Sequence, residues 1–280
     1  MFELLRVAIA LVGSAGAGLW DLKTTNIPDW VCAVMIATGL LLFGIEGAQT
    51  GDWSGLTMSV VVGGIFALFG LGMYLTGQWG GGDGELMAAI GVLLPLWPFG
   101  QMSVFPMPLA FFINVFFVGA IYTVGYAAVL ACSKPTLRAA ISHKVKADAH
   151  IIVPISIGVT AAVAVLWSMS GMAWLVILPL VVIAMPILYR MLNAVEKSFY
   201  VRIPASKLKV DDMLGEDIPR LKLYKKYIRG LTATEVKKIR KYRSYVMIRD
   251  GVRFGIVFHI ALIVTLLVGD IVTFILPQIM

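Results

Sequence analysis

Charge is scarce in this chain, and cysteine and histidine are scarcer still. Asp, Glu, Lys and Arg make up 14% of its 280 residues while 59% are hydrophobic. A soluble domain carries about a quarter charged residues, so that class is excluded. Cys32 and Cys132 are the whole cysteine complement and both lie in apolar stretches. They offer neither a disulfide framework nor a thiolate zinc site, and core packing is their expected role. His143, His150 and His259 show no ligand spacing, so neither a metal nor a cofactor is expected. His259 lies within an apolar segment and reads as a hydrogen-bonded packing residue. Strict apolar-polar alternation is also missing, which excludes a transmembrane barrel.

What the chain has instead is long apolar runs. A helix needs about 17 to 25 apolar residues to cross a bilayer of roughly 30 Å. Eight spans are read, at about 3–20, 28–46, 55–78, 84–97, 108–132, 151–169, 173–192 and 252–276, the fourth of them short. The expected fold is therefore all-α, a polytopic transmembrane helix bundle with a small cytoplasmic subdomain. Its organisation follows: transmembrane helices over 1–132, a cytoplasmic loop and an additional pair of spans over 133–192, a basic subdomain over 193–250 and a last span over 251–280. The small residues from Gly13 to Gly18 resemble a cleavage region, yet Glu3 precedes the run and only Arg6 is basic there. The first segment is accordingly read as a span and not as a cleaved signal peptide.

Charge then orients the bundle. Of 23 Lys and Arg, all except Arg6 fall in 21–27, 133–150 and 190–253, which share one side if the spans alternate. Positive residues mark the cytoplasmic side, so both termini are expected outside and the connections at 22–27 and 79–83 inside. The formal net charge of +7 sits mostly in 190–253, with Lys225, Lys226, Lys237, Lys238, Arg240, Lys241 and Arg243. That basic face is read as touching anionic lipid headgroups in preference to nucleic acid. Within it, Thr232 and Glu235 are spaced as a capping box, and 215–219 reads as a turn.

One run breaks the apolar pattern: Trp79-Gly80-Gly81-Gly82-Asp83-Gly84-Glu85. Glycines and a carboxylate at a membrane border indicate a broken backbone and a working charge. A second acid, Asp21, closes the first span, and the charge count puts Asp21 and Asp83 at the same face. Two neighbouring carboxylates titrate as a unit, one retaining a proton. The ionised one can take a proton from water while its partner polarises a peptide carbonyl. Backbone freed at Gly80, Gly81, Gly82 and Gly84 could pair with an extended substrate. The plainer alternatives are a flexible turn with Asp83 as helix cap and Asp21 as a surface residue beside Lys23.

Gly80-Gly81-Gly82-Asp83 resembles the GxGD motif of membrane aspartyl proteases. The continuation Gly84-Glu85-Leu86-Met87-Ala88-Ala89-Ile90-Gly91 is similar to that of type IV prepilin and archaeal preflagellin peptidases. So are Trp20-Asp21, the following Asn26-Ile27-Pro28-Asp29 and the 62-residue spacing between the two aspartates. The closing Val268-Gly269-Asp270 and Phe274-Ile275-Leu276-Pro277 look archaeal in type. The resemblance covers residues 1 to about 130 and, more loosely, the last 30. It implies Asp21 and Asp83 as catalytic residues and cleavage of class III signal peptides from prepilin or preflagellin precursors at the cytoplasmic membrane face.

Three departures limit what carries over. Glu85 stands where the family commonly has Lys, and could attract basic residues of a substrate or serve as a helix-start carboxylate. The two spans from 151 to 192 exceed the family's usual six. The four-cysteine element of bacterial relatives is absent, so no N-methyltransferase activity is expected.

Two competing readings stand beside this one. Presenilin and signal-peptide-peptidase enzymes share the GxGD motif, but no Pro-Ala-Leu motif lies near the last span. An ion-coupled transporter would place its acids nearer the midplane and show internal repeats. Asn114 and Asp270 read as helix-packing or interfacial groups, with Asn114 a possible substrate contact. Pro154, Pro179 and Pro186 read as kinks.

Overall fold

The computed structural model describes residues 2–100, 103–170, 177–210, 212–224, 230–249, 252–272 and 274. Among them the helices are α1 (Phe2–Thr24), α2 (Asp29–Thr50), α3 (Ser54–Leu75), α4 (Gly81–Leu93), α5 (Met107–Ser133), α6 (Pro135–Ser170), α7 (Ile177–Ser198), α8 (Ala233–Tyr242) and α9 (Gly255–Val268). The strands are β1 (Tyr200–Pro204), β2 (Met213–Leu214) and β3 (Tyr245–Arg249). The chain divides into two compact units. One takes in residues up to Ile121 and the stretch around α9, the other the residues from Tyr122 to the end of β3.

Five stretches are long and apolar enough to cross a membrane: α1, α2, α3, α5 and Leu137–Val165 within α6. At most 33% of each spanning window is buried. Their uncovered surface is apolar, with Leu19, Leu41, Leu68 and Ile121 all more than half exposed, as lipid requires. The protein is a multi-pass membrane protein.

The fourth expected span is short, as read, and α9 is shorter than the expected last span. At 13 and 14 residues, α4 and α9 reach only about 20 Å at a rise of 1.5 Å per residue. Every residue of α4 from Leu86 to Leu93 is buried, so this helix is the centre of the first unit and is apolar all round. The expected span at 151–169 is part of α6, and the predicted loop at 133–150 is largely helical. Of the expected spans 173–192 and 252–276, residues 173–176, 273 and 275–276 lie outside the described residues, as do Lys225, Lys226 and the 275–277 part of the closing motif. Cys32 is buried as expected, whereas Cys132 is exposed on α5.

Lipid is as apolar as leucine, so helices in it associate through close packing and polar contacts. On α3, Gly63 and Gly70 face Val92 and Gly84 of α4, and a Cβ added at Gly70 would lie 2.5 Å from the Gly84 Cα. The Ser59 hydroxyl donates to the Val92 carbonyl at 2.6 Å. At the same end of the helix pair formed by α1 and α2, buried Arg6 pairs with Glu46 and lies 3.9 Å over the Phe43 ring. His259 Nδ1 hydrogen-bonds the Ser14 hydroxyl at 2.9 Å, the packing role expected of it. In the short connection before α3, Asp52 accepts the Ser54 N–H at 2.8 Å, which holds its carboxyl below the ordinary value.

In the second unit, Arg190 of α7 pairs with Asp148 of α6. An antiparallel sheet of order β1-β3-β2 sets Tyr200 opposite Arg249. Its core holds Leu208, Ile218, Val236, Ile239 and Val246. The capping box opens α8 as predicted, Glu235 N–H to Thr232 Oγ1 at 3.4 Å and Thr232 N–H to Glu235 Oε2 at 2.9 Å.

Candidate active site

The glycine run ends α3 and starts α4. Leu75 closes α3, Gly77 takes a positive φ of 70°, and α4 begins at Gly81. Asp83 is the third residue of α4, where its Oδ2 accepts the Gly80 N–H at 3.0 Å. This satisfies a donor that the helix start would otherwise leave open. Asp83 is partly exposed and Glu85, half a turn on, is exposed.

Asp21 sits in the last turn of α1 and is 6% exposed. Its Oδ2 accepts the Gly255 N–H from the first turn of α9 at 2.8 Å. The Arg253 guanidinium adds positive potential at the same carboxylate. The chain leaves α1 through Thr25 at φ 60°, a left-handed conformation that β-branched residues rarely adopt. It then buries Ile27.

Ile27 is where the two halves meet. A Cβ on Gly82 would lie 2.7 Å from the Ile27 Cβ, and one on Gly255 would lie 3.0 Å from the Ile27 Cδ1 and 3.0 Å from the Asp21 Cβ. The same residue therefore touches the helix start bearing Asp83 and the helix start holding Asp21. The carboxylates are close enough for the charge on Asp21 to act on Asp83.

Beside them, buried Trp79 stacks on Phe116 at 6.0 Å and meets Phe69 and Phe258 edge-on at 5.6 and 5.4 Å. An apolar wall thus closes one side of the pair. Among the described residues, no three His, Cys, Asp or Glu side chains converge as metal ligands would.

The glycines divide differently from expectation. Gly80 gives its N–H to Asp83, Gly82 packs on Ile27 and Gly84 is buried on Gly70, which leaves Gly81 as the exposed one. Three of the four thus take part in packing or in helix-start hydrogen bonding within the site. Asn114 does not join the pair either. It is fully buried and donates to Thr265 Oγ1 and the Gly269 carbonyl at 2.9 and 2.7 Å, while its Oδ1 accepts the Ile271 N–H at 3.0 Å. Those partners lie at the opposite end of α9 from Gly255. Asp270 is likewise buried and accepts from the Ser103 hydroxyl.

Two residues of the site had no assigned part in the sequence reading, Ile27 and Gly255. Ile27 lies in a quoted motif, and a glycine opening an apolar helix is a cue to close backbone approach.

Known proteins align with this region. Residues 8–124 match the type IV leader peptidase family. A protein named prepilin peptidase EppA, from Methanothermobacter thermautotrophicus, is 33% identical over 126 residues, which are 41% of this chain and 32% of that protein. One named preflagellin peptidase, from Methanocaldococcus jannaschii, is 37% identical over 90 residues, 30% of this chain and 37% of its own length. The chain thus spans about a third of the length of these two relatives. No solved structure matches the chain. The matched segment, residues 8–124, carries both aspartates, Asp21 and Asp83, and is similar to the type IV leader peptidase family.

Proposed function

We propose that the protein is an aspartic endopeptidase that cleaves class III signal peptides from prepilin or preflagellin precursors at the cytoplasmic face of the cell membrane. The observation that carries this reading is the meeting of Asp21 and Asp83 through Ile27, at one end of the bundle, in a segment that matches a leader peptidase family. One carboxylate, ionised, takes a proton from a water molecule as that water attacks the scissile carbonyl. Its protonated partner donates to the carbonyl oxygen and then supports transfer of a proton to the leaving amine. Neither residue becomes bonded to the substrate.

The location supports the substrate class. A class III precursor has a charged stretch followed by an apolar helix, so its scissile bond falls where the apolar part meets water, the level at which α1 ends and α4 begins. The positive-residue bias supports a cytoplasmic position for that end.

The test is cleavage of a prepilin or preflagellin precursor by purified, reconstituted protein. Asp21→Asn and Asp83→Asn should each lower the rate by at least about 100-fold, as loss of a general acid or base does, while both variants remain inserted. Near-normal cleavage by either one removes the pair mechanism.

A further inference from the structure

The family match ends at residue 124, yet the Asp21 carboxylate is held by a residue 234 positions downstream. Gly255 is the first residue of α9, so its N–H has no partner within its own helix. That N–H points at Asp21 Oδ2 at 2.8 Å in a buried setting. Glycine eases this close approach, since a Cβ would lie 3.0 Å from the Asp21 Cβ and 3.1 Å from its Oδ2, and its neighbours would have to give by a few tenths of an ångström.

The neighbouring residues grip the other half of the site. Phe254 lies 6.0 Å from the Trp79 ring, and Phe258, one turn further, meets Trp79 edge-on at 5.4 Å. Trp79 directly precedes the glycine run. Two more glycines admit this turn of α9: a Cβ on Gly18 would lie 2.9 Å from the Ile256 Cα, and one on Gly119 would lie 2.6 Å from Phe254 Cζ. A single helical turn is therefore keyed to α1, to the Asp83 loop and to α5 at once.

We propose that Gly255 is a positioning residue of the aspartate pair: its N–H fixes the Asp21 carboxylate while Phe254 and Phe258 hold Trp79, so the first turn of α9 sets the spacing of the two carboxylates. This rests on the peptidase reading above. The site is then incomplete in residues 8–124 alone, and α9 is part of the catalytic apparatus and not merely a further membrane helix. A donor delivered by the backbone cannot be replaced by a side chain, and its direction is fixed by the helix it opens.

The full chain, reconstituted in lipid, is compared with Gly255→Ala and Gly255→Pro in precursor cleavage. Proline is tolerated in the first turn of a helix, and both variants add a Cβ, but only proline deletes the N–H. Proline also disfavours the αR conformation of Phe254, so the unfolding cycle below isolates the hydrogen bond. Loss of a buried hydrogen bond to a charged group should lower kcat of Gly255→Pro by about 10- to 100-fold with KM nearly unchanged. Its pH–rate profile should also change shape, while Gly255→Ala keeps the profile of the unaltered protein and loses no more than about tenfold in rate, as expected for crowding alone. Equal losses and equal profiles in the two variants overturn the positioning role and leave the peptidase reading intact. If the unaltered protein cleaves no precursor, both fall.

A readout independent of activity is thermal unfolding. Asp21→Ala and Gly255→Pro should each lower Tm, and combining them should lower it little further, because they break one interaction. Additive losses overturn the inference. Should Gly255→Pro fail to insert, Gly255→Ala alone decides: a rate loss as large as that of Asp21→Asn overturns it.

Discussion

Gly70 of α3 and Gly84 of α4 meet backbone to backbone, so that a methyl on either would come within 3 Å of the other's Cα. Gly84 follows Asp83 directly, so this contact seats the Asp83 segment against α3. Gly84→Ala should separate the two helices at a cost of about 1–3 kcal/mol, the usual range for overpacking a filled interior. Gly64 on the same α3 has nothing within 4 Å of its built Cβ, and Gly64→Ala should be neutral or slightly stabilising through helix propensity. Thermal unfolding in one detergent separates the two outcomes.

The Arg6–Glu46 pair is the polar fastening between α1 and α2 at the end away from the aspartates. Arg6 is 6% exposed, while the Glu46 side chain keeps 34% of its surface open. Breaking a fully buried pair costs about 3–5 kcal/mol, and with one partner this open about 1–3 kcal/mol is expected. Arg6→Met and Glu46→Gln should each lower Tm, and the double variant should lose less than their sum. A double-mutant cycle on thermal or denaturant unfolding checks the coupling.

Asn114 joins α5 to the C-terminal end of α9 with three hydrogen bonds. Replacing it with the similarly shaped leucine leaves the Gly269 carbonyl and the Ile271 N–H without that partner, at about 1–3 kcal/mol for each group left unsatisfied. Asn114→Leu should therefore lower Tm and shorten the half-life in detergent, yet leave KM for precursor unchanged. An altered KM would return Asn114 to the substrate site.

The outline of this bundle was readable because its determinants are local. Apolar runs set α1, α2, α3 and α5, the Thr232–Glu235 spacing set the start of α8, and charge sidedness brought Asp21 and Asp83 to one end. What was hidden is non-local or ambiguous in kind. Nothing near Asp21 indicates that its partner is a backbone N–H 234 residues away. A glycine that packs against another backbone looks the same in sequence as one that frees a loop, and Gly82 and Gly84 proved to pack. The charges of 134–148 suggested a loop, but a helix extending beyond the apolar zone carries such residues without cost, so α6 runs unbroken from Pro135.

Glu85 is an exposed acid beside the pair, half a turn past Asp83 on α4, with exposed Asp29 near it. If precursors approach with basic residues ahead of the scissile bond, Glu85 attracts them, and Glu85→Lys turns that attraction into repulsion. For charges about 7 Å apart in an effective dielectric near 40, each pair is worth about 1 kcal/mol, so the reversal amounts to about 2 kcal/mol. Salt at physiological strength screens exposed charges, which lowers the expected effect to about 3- to 10-fold in kcat/KM. The loss should be confined to precursors with basic residues before the cut and should disappear when those residues are replaced by glutamine. It should also shrink as salt is raised. An equal loss on both precursors would instead identify Glu85 as a support for the N-terminal part of α4, whatever the substrate.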